Sequence, residues 1–190
     1  MRWERLFADL EAELEAAEAA ERQGEVAERT RVELARVAWV DRLAAARDVR
    51  LDLTGGATVH GAVTMVGDGW AVVTTSGDPL GAPVVVRLAA VVSAQGVGRG
   101  ARTAARATAT RRLGISAPLR RLSRDRCTVS LALVDGRRVL GTLDAVGADH
   151  LDLAEHAVDE PRRPAGVSRV LTVPFAALAS VTAVGATSWA

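Results

Sequence analysis

Apolar positions recur with two different periods along this chain. Near the N-terminus the period is three to four. Trp3, Leu6, Phe7, Leu10, Leu14 and Ala17 share one stripe, with Glu11, Glu13, Glu15, Glu18 and Glu21 mostly opposite, the pattern of an amphipathic helix over residues 2–22. Gly24 interrupts it, and a glycine inside a helix costs about 1 kcal/mol against alanine. The spacing therefore predicts a break there and a second helix from about Val26 to Arg47, with Leu34, Val37, Trp39, Val40 and Leu43 on its apolar face. Together they read as a helical hairpin over residues 1–47.

From Val49 the period becomes two. Val49, Leu51 and Leu53 alternate with polar neighbours, Gly55-Gly56 marks a tight hairpin, and Val59, Gly61, Val63 and Met65 continue on the next strand. Glycine reaches the positive φ that such hairpins need. Gly67-Asp68-Gly69 makes the next turn, Trp70 to Val73 a third strand, and Val84–Leu88 and Val91-Val92 two more. Five short strands bent at glycines over residues 48–95 predict a small closed or nearly closed barrel, since closure removes exposed edges.

The same pattern is written again 80 residues later. Gly56 matches Gly136, Val59 matches Val139, Gly61 matches Gly141, Val63 matches Leu143, and Val66-Gly67 matches Val146-Gly147. Leu88-Ala-Ala-Val91 returns as Phe175-Ala-Ala-Leu178, and Trp70 is replaced by His150. The second barrel is thus expected over residues 127–184, with a polar loop from Glu155 to Ser168 and a loose tail over residues 185–190 carrying Trp189. A mid-strand glycine weakens a sheet unless a bend or close approach requires it, so its recurrence at Gly61 and Gly141 points to such a requirement.

Between the repeats, residues 96–126 carry nine arginines against Asp125 alone. The first part, Gly96 to Thr110, reads as a mobile connection and Ala117 to Arg124 as a short helix. Arg99, Arg102, Arg106, Arg111, Arg112, Arg120, Arg121 and Arg124 are the candidate phosphate contacts, because such contacts supply most sequence-independent affinity for nucleic acid. The competing reading is that these arginines pair with the acidic first helix, where each exposed pair contributes only about 0–1 kcal/mol.

Composition narrows the choices. The formal net charge of the 190 residues is +1, so no global basic field draws the chain to polyanions. Every strongly basic residue is arginine. Cys127 is the single cysteine, which removes an intramolecular disulfide and reads as a small half-buried side chain. His60, His150 and His156 stand in no nucleophile or metal spacing, and Gly96-Val-Gly-Arg-Gly100 lacks the Lys-Ser or Lys-Thr of a phosphate loop. Neither a catalytic residue nor a cofactor is expected. No apolar run approaches the ~20 residues of a membrane helix, and the N-terminus is not a signal peptide. A cytoplasmic protein without a membrane partner is expected.

Each repeat resembles the Sm-like fold of Sm, Lsm and Hfq proteins. The resemblance rests on Asp135-Gly136, Gly141, Leu143, Val146 and Asp149, and on Gly55-Gly56, Gly61, Val63 and Val66. The closing segments Val173-Pro-Phe-Ala-Ala-Leu178 and Val86-Arg-Leu-Ala-Ala-Val91 extend it, to about 100 residues in all. The whole chain, with its Arg2-Trp-Glu-Arg-Leu-Phe opening, also resembles a group of actinobacterial proteins. What the Sm-like resemblance implies is a mostly β protein of two tandem five-stranded barrels, edge-to-edge association into homo-oligomers, and binding of single-stranded RNA. The residues of the family's base pocket are largely replaced: Gly55 and Asp135 stand in the first turns, and Arg87-Leu88 and Pro174-Phe175 in the closing segments. Two functions follow as expectations. One is a non-enzymatic RNA-binding or other nucleic-acid-binding protein using the arginine segment. The other is an interaction or oligomerisation scaffold whose N-terminal helices take a protein partner.

Overall fold

The computed structural model describes residues 2–76, 81–98, 110–156 and 169–184. The expected loop beyond His156, the tail from Gly185 and most of the connection between the repeats lie outside them. The chain divides into two units, residues 1–39 and 40–190.

The first unit is one helix, α1 (Arg2–Arg36). The expected break at Gly24 does not occur. Glu, Ala and Arg dominate on both sides, all strong helix formers, and they outweigh one exposed glycine whose missing Cβ has nothing within 4 Å. Arg31 pairs with Glu28 one turn earlier at 3.0 Å. The helical hairpin is therefore corrected to a single rod. The helix is interrupted instead at Val37-Ala38, and what remains of the expected second helix is the short α2 (Trp39–Ala45).

The second unit is mostly β. The first repeat supplies β1 (Asp48–Leu53), β2 (Thr58–Val66), β3 (Trp70–Thr75), β4 (Pro83–Arg87) and β5 (Val91–Gln95). The second repeat supplies β6 (Thr128–Leu133), β7 (Arg138–Val146), β8 (His150–Glu155), β9 (Arg169–Pro174) and β10 (Leu178–Val184). The repeats agree rung by rung. Val49 faces Gly61 as Val129 faces Gly141, and Gly61 faces Thr75 as Gly141 faces Glu155. Register shifts recur at Val63/Met65 and Leu143/Ala145. The repeated glycine has its physical cause here. A Cβ on Gly61 would stand 1.9 Å from the Thr74 carbonyl oxygen, and one on Gly141 2.1 Å from that of Ala154. Short 3-10 turns, Leu88–Ala90 and Phe175–Ala177, lead into β5 and β10.

The ten strands do not close into two barrels. They form one open antiparallel sheet in the order β5-β1-β2-β3-β4-β10-β6-β7-β8-β9. The outer edge of β4 is occupied by β10 of the other repeat, with Val84, Val85 and Val86 facing Thr182, Val181 and Ser180. One core holds Leu131, Leu143, Leu151 and Leu178 of the second repeat with Trp70, Val72 and Val85 of the first. The other holds Leu51, Val73 and Val86 with Ala132 and Ala179. Apolar side chains thus cross the joint on both faces of the sheet.

Each repeat is preceded by a helix whose buried leucine seats it, Leu43 on α2 and Leu122 on α3 (Ser116–Arg124). The expected helix over Ala117–Arg124 is present. It tolerates Pro118 because a first-turn residue has no helical N–H partner to lose. It ends on a pair of reversed hydrogen bonds, Cys127 N to Leu122 O at 3.4 Å and Arg126 N to Ser123 O at 3.2 Å. That closure needs a left-handed residue, usually glycine. Here it is Arg126, at φ 49°. Among the described residues, no helix is long and apolar enough to cross a membrane.

Candidate nucleic-acid interface

The arginine segment divides into structural and exposed residues. Arg99, Arg102 and Arg106 lie outside the described residues. Arg111 sits in the 3-10 turn Thr110–Arg112 and forms an ion pair with Asp41 of α2. Its buried Nε has no hydrogen-bond partner among the described residues. Arg111 ties the connection to the helix before the first repeat; its acid is Asp41 of α2, not a glutamate of the acidic first helix as the competing reading expects. Arg112 is exposed.

The segment after Arg112 is docked on the first repeat. The Leu113 carbonyl accepts two hydrogen bonds, from the Asp68 N–H at 3.0 Å and from the Trp70 indole N–H at 2.7 Å. Gly114 bridges Asp68 in parallel. Trp70 is 1% exposed beneath it.

Arg120, Arg121 and Arg124 are exposed on α3, opposite Pro118, Leu119 and Leu122. Arg120 donates to the Gly147 carbonyl at 3.5 Å. Two shallow grooves flank the helix and share Ser123, whose hydroxyl donates to the Leu143 carbonyl at 3.3 Å. The first, about 410 Å³, lies among Ala117, Arg120, Ser123, Arg124 and Val146. The second, about 280 Å³, lies among Ser123, Arg126, Thr142, Leu143 and Asp144. Arg124 and Arg126 have no carboxylate partner among the described residues. Ser123 was not singled out in the sequence; Val146 was named only as a repeated turn position and Arg126 only as one of the nine arginines, neither as a contact. The amphipathic pattern of α3 was the available signal, since it orients which arginines face out and which strand lies beneath.

The histidines are dispersed. His60 lies 3.3 Å from Asp48 on the surface. His156 is buried and shares a 2.8 Å hydrogen bond with the Thr142 hydroxyl. His150 donates from Nδ1 to Asp149 at 2.8 Å, since a carboxylate can only accept. That bond first, and the Asp149 charge with it, raises the imidazole above its ordinary value; the same bond lowers the Asp149 carboxyl. Among the described residues no group of three or more His, Cys, Asp or Glu is placed to hold a metal. Cys127 is half-buried.

No family model, no curated protein and no solved structure matches this chain.

Proposed function

We propose that the chain is a non-enzymatic, Sm-like nucleic-acid-binding protein that takes single-stranded RNA. The observation that carries this reading is the exposed row Arg120, Arg121 and Arg124 on α3, set over grooves between that helix and the sheet. Guanidinium groups neutralise phosphates, and an apolar floor such as Val146 gives a base or ribose something to lie on. Fluorescence anisotropy with short single-stranded RNA and DNA at two salt concentrations tests it. RNA is expected to bind more tightly than DNA, with affinity falling as salt rises. The triple variant Arg112→Ala, Arg120→Ala, Arg124→Ala is expected to bind weakly. Binding that is absent at low salt, or indifferent to salt, overturns the reading.

A second reading is an assembly scaffold, and the joint between the repeats favours it. β5 and β9 are the two open edges, and they are the copies of β10 and β4, which are paired to each other. Val92 on β5 is 68% exposed while its copy Ala179 is fully buried, and Val170 on β9 is 59% exposed while its copy Pro83 is buried. In this reading β9 of one copy pairs with β5 of the next, Thr172 opposite Ala94, as Val85 stands opposite Val181. Light scattering is expected to show oligomers that Ala94→Pro or Thr172→Pro reduces to monomers, because proline removes a ladder donor. A wild-type chain monomeric at high concentration overturns it.

A further inference from the structure

The two repeats treat one turn differently. Gly67–Trp70 and Gly147–His150 are the same hairpin. Gly67 N bonds to Trp70 O at 2.8 Å and Gly147 N to His150 O at 2.9 Å. In each, a nitrogen-bearing ring lies on the glycine. A Cβ on Gly67 would meet Trp70 Nε1 at 2.3 Å, and one on Gly147 would meet His150 Nδ1 and Nε2 at 2.8 Å.

In the first repeat this turn holds a guest. The Asp68 N–H and the indole N–H converge on one oxygen, the Leu113 carbonyl. In the second repeat the copy is open. Ala148 is exposed, and its N–H has no partner among the described residues. The His150 side chain is 41% exposed. Nδ1 is engaged with Asp149, so Nε2 is the ring nitrogen left to meet a guest.

The flanking charge is also reversed. With Leu43 and Leu122 as equivalent anchors, Arg120 stands where the first repeat has Asp41, and Arg124 where it has Ala45. Asp41 draws an arginine to the first turn, whereas Arg120 reaches the second turn itself through Gly147 O. Asp149 is the one carboxylate in the turn, and it is engaged by His150.

We propose that the Gly147–His150 turn is a seat for a phosphodiester oxygen of single-stranded RNA. That oxygen takes the place the Leu113 carbonyl holds in the first repeat. The Ala148 N–H donates to it, Nε2 of His150 donates to it when the imidazole is protonated, its Nδ1 hydrogen being already given to Asp149, and Arg120 and Arg124 neutralise its charge. The seat rests on the RNA reading above and names where the backbone is held. Val146 and Ala117, in the adjoining groove, receive the attached sugar or base.

The test follows the Ala148 amide and the His150 ring by NMR as a short oligouridylate is added to the full chain. Anisotropy is measured in parallel on Arg120→Asp, which restores the charge of the first repeat, and on Arg124→Ala. Arg137→Ala, on the distant hairpin, serves as control. The expected result is that Ala148 and His150 shift and that each α3 variant loses roughly tenfold in affinity, with a salt slope shallower by about 0.7. The control is expected to bind as wild type. Tight binding by both α3 variants with Ala148 unmoved overturns the seat and leaves the RNA reading standing. A wild-type chain that does not bind removes both. The peptide Arg-Leu-Gly-Ile-Ser, copied from residues 112–116, is the competing guest. If it moves Ala148 and the oligouridylate does not, the turn takes a backbone carbonyl and the proposal fails.

Discussion

Gly55 lies against Gly136. A Cβ on Gly55 would stand 2.6 Å from the Gly136 amide nitrogen and 2.6 Å from the Leu133 carbonyl oxygen. The first hairpin turns of the two repeats therefore abut, and this explains why Gly55 replaces the aspartate found at Asp135. Gly55 is also at φ 82°, a region costly for side-chain-bearing residues. Gly55→Asp, which makes the two turns alike, is expected to destabilise the fold by about 3 kcal/mol or more. Gly56→Ala, at φ 79° but facing open space, is expected to cost only about 1 kcal/mol. Urea unfolding of both variants checks the difference, and equal costs would mean that the turns do not press on each other.

The joint between the repeats makes a second contrast. Val181 is 1% exposed and faces Val85, while Val92 lies on an open edge. Val181→Asp buries an unpaired carboxylate and is expected to cost several kcal/mol, about 3 or more. Val92→Asp is expected to stay within about 0.5 kcal/mol of wild type for the isolated chain. Chemical denaturation in dilute solution separates the two.

The end of α3 predicts a gain. Arg126 occupies the left-handed position at φ 49°, which L-residues adopt at a cost of about 1–2 kcal/mol. Arg126→Gly is expected to raise stability by about 1 kcal/mol. Calorimetry on the variant measures it, and an unchanged or lower melting temperature would contradict the strain.

His150 and Asp149 set a pH dependence. The ordinary imidazole titrates near about 6.5, and hydrogen bonding to Asp149 raises it. The folded chain thus holds a proton that the unfolded chain has released. The stabilisation is complete below about 6.5 and is lost as pH rises through the folded value. Asp149, lowered from its ordinary 3.8 by the same bond, loses its share as pH falls through its own folded value. The His150 ring titration by NMR is expected to have a midpoint above about 6.5, moving down in Asp149→Asn. A midpoint that ignores the substitution would refute the coupling.

The repeat itself was legible from residues alone. Glycines with a steric reason recur at a fixed interval, as Gly61 and Gly141 do against Thr74 and Ala154. Alternation placed β1, β2, β6 and β7 because each buries one face, Leu51 and Leu131 among them. The sheet's closure was not legible. Periodicity tells which face of a strand is buried, not which edge is paired, so nothing in Val84-Val-Val86 distinguishes β5 from β10 as a partner. The continuity of α1 through Gly24 was missed because a local penalty of about 1 kcal/mol was weighed without the good helix formers around it. The arginines were legible as a charge run. Their separation into a tether at Arg111 and an exposed row on α3 depends on Asp41, about 70 residues away, which no local pattern reports.

The position of β10 sets an order on synthesis. It stands between β4 and β6, in the middle of the sheet, yet its residues are the last described ones to be made. A ribosome that has delivered the first repeat has released β4 with one edge unpaired, and that edge waits for almost another hundred residues. Until Leu178–Val184 emerge, the nascent chain carries a Val84-Val-Val86 ribbon open to any passing strand. A stalled or truncated product ending before Leu178 would thus expose at once both edges that the finished protein joins, β4 and β6.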